Sequence, residues 1–168
     1  MLSVLIETRN SEDCLARTLA SLVGGVVEGV VREVIVCDLG SSDHTHKVAD
    51  VAGCAWLPSG GVAAGVRQAK GEWLLLLEPG STMAGGWMEA ALHHCAKATM
   101  AARFTPARRA RTPFLGRLLG GNRGLSDGLL IRKSQAVSLS RSGQNAEGIA
   151  RGLATKRLTG EIVPAQRR

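Results

Sequence analysis

Two acidic residues stand where apolar runs stop. Val34-Ile-Val-Cys37 ends at Asp38, before Gly40-Ser-Ser-Asp43, and Trp73-Leu-Leu-Leu-Leu77 ends at Glu78, before Pro79-Gly80-Ser81. In an open α/β sheet, ligands bind at the C-terminal ends of buried strands, which makes a strand-final acid a candidate site residue. Asp38 could accept hydrogen bonds from a ribose or a base, or bond the backbone of its own turn. Glu78 could join a Mg²⁺ or Mn²⁺ site holding a diphosphate, which takes one or two carboxylates plus phosphate oxygens. It could also be a surface acid at a strand end. Capping of the next helix is enough to explain Asp43.

Other chemistries find less support. His93-His94-Cys95 and His44-x-His46 could suggest a metal, but adjacent helical residues point about 100° apart. Surface histidines are expected instead, with Cys95 on an apolar face. No Ser-His-Asp order, Walker loop or zinc spacing occurs. Cys14, Cys37, Cys54 and Cys95 are widely spaced and read as free thiols in a reducing compartment. Arg103, Arg108, Arg109, Arg111, Arg117 and Arg123 surround Phe114-Leu115 and Leu118-Leu119. Such a segment can rest on an anionic membrane surface, grip a protein partner, or be a solvated loop over buried leucines.

The elements that must position these groups follow from apolar patterning. With 168 residues, 45% hydrophobic and 21% charged, the chain fits one domain, 1–168, with a real core. Leu2 to Ile6, Val34 to Cys37 and Trp73 to Leu77 read as buried strands. Helices are expected after Asn10 or Ser11 with Leu15, Leu19 and Leu22 on one face, after Asp43, after Ser59-Gly-Gly-Val-Ala-Ala-Gly65, and from Gly86 with Trp87, Ala91, Leu92 and Cys95 inward. That order predicts a doubly wound, mostly parallel sheet. Beyond Arg103, Gly128 to Ile131 and Glu161 to Val163 are further candidate strands, and Ala146 to Leu153 a weak helix.

Charge divides the chain. Residues 1–100 hold 7 Lys/Arg against 11 Asp/Glu, whereas residues 101–168 hold 14 against 3. A basic second half suits an anionic surface or an acidic partner. With no Tyr, two Phe and three Trp, binding nucleic acid by stacking is poorly supported. Met1-Leu-Ser-Val-Leu-Ile6 lacks the basic start of a signal peptide, and no apolar run approaches the roughly 20 residues of a membrane span. The expected place is the cytoplasm, free or at the inner face of a membrane.

Three segments carry a resemblance. Ile6-Glu-Thr-Arg-Asn10 is similar to I-P-T-Y-N, Val36-Cys-Asp-Leu-Gly-Ser-Ser-Asp43 to V-V-D-D-G-S-T-D, and Ala69-Lys-Gly-Glu-Trp-Leu-Leu-Leu-Leu-Glu78 to the A-R-G-E-x-L-L-F-L-D run that introduces a metal-binding D-x-D. In that order and spacing they resemble the family 2 glycosyltransferases. The resemblance implies a GT-A fold, with residues 1–100 as a nucleotide-binding half and 101–168 as a basic, acceptor-side half. It also implies a nucleotide-sugar donor held by Thr8, Asp38 and Glu78, with Mg²⁺ or Mn²⁺ on Glu78 if the protein is active.

The departures fall on the chemistry. Leu39 replaces a second Asp, Gly60 and Ala63 stand where Arg and Asn are frequent, and Gly80 stands where the metal-binding Asp would be. Asn145-Ala146 takes the place of the acidic motif that supplies the base, leaving Asp127 or Glu147 as candidate catalytic substitutes. A general base is worth about 10²–10⁴ in rate, so such losses predict little turnover by the usual route. The expectation is a degenerate member that binds a ligand or partner. The alternatives are an active transferase with a nonstandard donor site, in which the arginines from Arg103 onward neutralise the diphosphate, and a peripheral membrane or assembly protein using them.

Overall fold

The apolar runs fold as strands of one sheet, in a computed structural model that describes residues 1–107, 124–140 and 145–166. The strands are β1 (Leu2–Thr8), β2 (Val31–Asp38), β3 (Ala55–Leu57), β4 (Trp73–Leu77), β5 (Thr82–Met83), β6 (Ala102–Pro106), β7 (Leu129–Arg132) and β8 (Lys156–Val163). The helices are α1 (Glu12–Val27), α2 (Thr45–Val51), α3 (Gly61–Gln68), α4 (Trp87–Lys97), α5 (Lys133–Ser140) and α6 (Ala146–Ala150). The sheet order is β3-β2-β1-β4-β7-β6-β8-β5. Strands β3, β2, β1 and β4 run parallel, and β7 then inserts antiparallel between β4 and β6. The expected α/β class and GT-A-like winding are found.

Both faces of the sheet are covered, which is why its strands read as unbroken apolar runs. Alternate β4 residues enter two cores: Trp73, Leu75 and Leu77 join Val4, Ile6 and Val36 under α1 and α4, while Leu74 and Leu76 join Leu5, Ile35, Val66 and Ile149 under α3 and α6. Burying each such leucine stabilises the fold by about 1.5–3 kcal/mol. Two glycines allow the helices to seat. A β-carbon on Gly25 of α1 would lie 2.6 Å from the Trp87 ring, and one on Gly65 of α3 would lie 2.5 Å from Cys37 Sγ.

Several expectations need correction. The helix after Asp43 begins at Thr45, and Asp43 ties two helices, accepting from Thr45 N at 3.0 Å and from Glu12 N of α1 at 3.1 Å. The inward arc of α4 is Trp87, Ala91 and His94, while Leu92 is 45% exposed. His94 is no surface histidine. It is 3% exposed, its Nε2 lies 2.7 Å from the Met100 carbonyl, and its ring meets the edge of Trp73. Trp87 fixes the helix phase by docking against Gly25, which rotates position 94 inward. Among the described residues, no helix is long and apolar enough to cross a membrane.

Candidate functional site

The C-terminal ends of β1, β2 and β4 form one rim. Thr8 and Asp38 are register partners there, 1% and 3% exposed. Thr8 Oγ1 donates to Asp38 Oδ1 at 2.9 Å, and Gly40 N, Ser41 N and Ser41 Oγ donate to the same carboxylate at 3.0, 2.7 and 2.5 Å. Burial pulls the Asp38 pKa upward, but the bonds from Ser41, Thr8 and Gly40 outweigh it and hold the carboxyl below its ordinary value. An ionised carboxylate offers about four acceptor positions. Four protein donors converge on this one, so Asp38 organises its own turn, and the side chain that emerges beside it is Leu39, 46% exposed.

The rest of this rim is laced in the same way. Asn10, the one described non-glycine residue with positive φ, at 49°, accepts from Ser42 N at 2.7 Å and donates its own N–H to Ser41 Oγ at 2.8 Å. Asparagine tolerates that backbone better than most residues.

Glu7 escaped the sequence reading. It ends the β1 stripe that faces α3 and accepts hydrogen bonds from Val62 N, at 3.2 Å, and from Ala146 N, joining the starts of α3 and α6. Burial raises its pKa, and the two N–H bonds offset only part of that. Its neighbour on β2, Cys37, is pushed up to about 12 by burial and by the Glu7 charge. A β-carbon on Gly61 would stand 3.4 Å from Leu39 and 3.5 Å from Glu7 Oε2, so these three residues converge on one spot. The available signal was an acid in the proline position of I-P-T-Y-N.

Glu78 closes its turn differently. Its main-chain carbonyl accepts from Ser81 N at 3.1 Å and from Ser81 Oγ at 2.6 Å, and Gly80 N donates to Thr18 Oγ1 at 2.9 Å. Gly80 is left-handed at φ +95, and a β-carbon there would lie 3.3 Å from Ala165 Cβ and 3.5 Å from Cys14 Sγ. Among the described residues, no group of three or more His, Cys, Asp or Glu side chains could hold a metal ion. Gly80 leaves Glu78 as the one carboxylate of this turn.

The candidate bases are occupied. Asp127 Oδ2 receives Arg157 Nη1 at 2.7 Å. The Glu147 carboxylate accepts from Gly124 N, and from Leu125 N at 3.0 Å, pinning α6 to that turn. Arg103, one of the expected anion contacts, donates to the Ala150 carbonyl at 2.5 Å, satisfying the end of α6. Its charged neighbours are Asp127, Arg157 and Glu147. Arg108, Arg109, Arg111, Arg117 and Arg123 lie outside the described residues.

Comparison with known proteins bears on the family and the fold. The sequence model described as Glycosyl transferase family 2 matches residues 3–109. Glucosyl-3-phosphoglycerate synthase from Mycobacterium tuberculosis, in complex with Mn²⁺, UDP and glucosyl-3-phosphoglycerate, superposes at TM-score 0.61 and 15% identity, over 100% of this chain and 73% of that one. S. aureus TarS 1–349 in complex with UDP gives 0.65 and 18%, over 94% and 57%. Mannosyl-3-phosphoglycerate synthase from Rubrobacter xylanophilus gives 0.63 and 12%, over 100% and 68%. At these identities the likeness shows the fold. No curated protein is significantly similar in sequence.

Proposed function

The chain belongs to glycosyl transferase family 2, and on that premise we propose that it is a nucleotide- or partner-binding member with little or no sugar transfer by the usual metal-assisted route. The observation that carries this reading is Gly80, which stands where the metal-binding acid would be and whose left-handed backbone, with Ala165 3.3 Å from a β-carbon there, strains any side chain at that position. The ties on Asp38, Asp127 and Glu147 support it, because these three carboxylates already serve the fold.

UDP is the first probe, because solved structures of this fold carry it, some with Mn²⁺ or Mg²⁺. Calorimetry with UDP and GDP, with and without Mn²⁺, should show weak binding that the metal changes less than threefold. A tenfold tightening by Mn²⁺, or turnover of a nucleotide sugar, would overturn the metal-independent reading. Silence toward every nucleotide would overturn the nucleotide-binding part and leave a partner-binding role.

One observation favours a second reading, an active enzyme with a nonstandard site. Glu7 combines partial burial, a raised pKa and a place at the strand-end rim, the environment that tunes a carboxyl for proton transfer. If any hydrolysis of a nucleotide sugar is measured, Glu7→Gln should remove it with little effect on binding. Unchanged hydrolysis would exclude that role.

A further inference from the structure

α1 carries two apolar seams. Leu15, Leu19 and Leu22 face the core. A second set, Ala16, Ala20, Val23 and Val27, recurs at intervals of four, three and four residues, the period of a helix-packing seam. All four are exposed, Val23 at 58% and Val27 at 80%. Among the exposed positions from Ala16 to Val27, the single charge is Arg17, whereas a helix face left in water normally carries several. Beside the seam, α2 presents Val48 and Val51, the latter 89% exposed, and a groove of about 820 Å³ runs between the two helices.

We propose that a second copy of this chain docks here, the two α1 helices packing antiparallel about a two-fold axis. The seam is complementary to itself when reversed. With the axis between Ser21 and Leu22, Ala16 opposes Val27 of the other copy and Ala20 opposes Val23, so each small side chain meets a larger one. The flanking charges agree with this register. Arg17 and Glu28 are eleven residues apart and return to nearly the same side of a helix, so each Arg17 comes near the other copy's Glu28 at both ends of the contact. Among the described residues, the hydrogen bond that Arg17 donates goes to a weak acceptor, Cys14 Sγ, at 3.3 Å. Such an isologous contact closes on itself and leaves no open end to propagate.

Size sets the expected strength. A helix of 16 residues is about 24 Å long, and with α2 alongside it the face offers roughly 500 Å² per copy. About 1,000 Å² in total is at the small end of specific interfaces, so the dimer is reversible, with a Kd of about 10–100 μM.

Sedimentation velocity on the whole chain from about 1 to 300 μM spans that range. A monomer-dimer equilibrium is expected, and Val23→Glu should raise its Kd at least tenfold while leaving the folded circular dichroism spectrum unchanged. Arg17→Glu and Glu28→Arg should each weaken the dimer, and the two together should restore it, since neither residue can reach the other within one chain. A monomer at every concentration, a dimer indifferent to Val23→Glu, or a charge swap without rescue would each overturn the proposal. Should Val23→Glu fail to fold, the charge swap decides alone. The outcome is independent of nucleotide binding.

Discussion

The turns after β2 and β4 are written alike, acid-X-Gly-Ser: Asp38-Leu-Gly-Ser41 and Glu78-Pro-Gly-Ser81. Both glycines are left-handed, at φ +87 and +95. In the first turn the acid's side chain binds the glycine and serine N–H groups. In the second the acid's main-chain carbonyl binds the serine, and the glycine N–H goes to Thr18 of α1. Aspartate is one methylene shorter and folds back on its own backbone, whereas glutamate leaves turn closure to the main chain. The shared acid-X-Gly-Ser pattern therefore gives one acid built into the frame and another whose carboxylate does not close its turn.

That contrast breaks most visibly at Asp38. Asp38→Ala strands the buried Thr8 hydroxyl and frees the more exposed Gly40 and Ser41 donors of the turn, and should cost about 2 kcal/mol, read by urea denaturation. Glu78→Gln should leave its turn closed and cost less than Asp38→Ala, because Ser81 holds that turn through the main-chain carbonyl. A similar loss in both would erase the distinction.

The glycines sharpen it further. Gly80→Asp meets both a left-handed backbone and a β-carbon space bounded by Ala165 and Cys14, so it should cost about 2 kcal/mol and confer no Mn²⁺ affinity by calorimetry. Gly40→Ala has the same backbone penalty but open space around it, and should cost about 1 kcal/mol. Manganese binding by Gly80→Asp would refute the account of a position unsuited to a metal-binding side chain.

pH gives the smallest expected effect. Asp38 titrates low in the folded chain, so its contribution to stability is complete above the unfolded value near 3.9 and is lost as pH falls through the depressed folded value. Glu7 titrates high, so its favourable contribution is complete below about 4.3 and is lost as pH rises through the raised value. Glu7→Gln should thus gain stability relative to the parent as pH rises toward neutrality, with an unchanged acid limb. Melting temperatures from pH 3 to 8 would test both slopes, and an unchanged pH profile in Glu7→Gln would contradict the Glu7 assignment.

What could be read from the sequence depended on how much of each signal is local. Strands β1, β2 and β4 announce themselves because both faces are covered, and each ends in a turn with its own side-chain chemistry. β3 and β5, of three and two residues, exist only by pairing with longer neighbours. α5 is Lys133-Ser-Gln-Ala-Val-Ser-Leu-Ser140, too polar and too weakly periodic to signal a helix. The rim acids were legible as positions and not as roles. Nothing in Asp38-Leu-Gly-Ser states that the carboxylate turns inward, and Glu7 acquires its environment from Val62 and Ala146, far along the chain.

The insertion of β7 beside β4 bears on synthesis. All five residues of β4 are buried, and one of its edges is covered only by residues 129–132. On a ribosome adding about 5–20 residues per second, that edge stays open for several seconds after Leu77 is made. An apolar edge strand without its neighbour is a template for pairing with other chains. Nascent or truncated copies ending before Leu129 should therefore depend on chaperones more than the finished protein does.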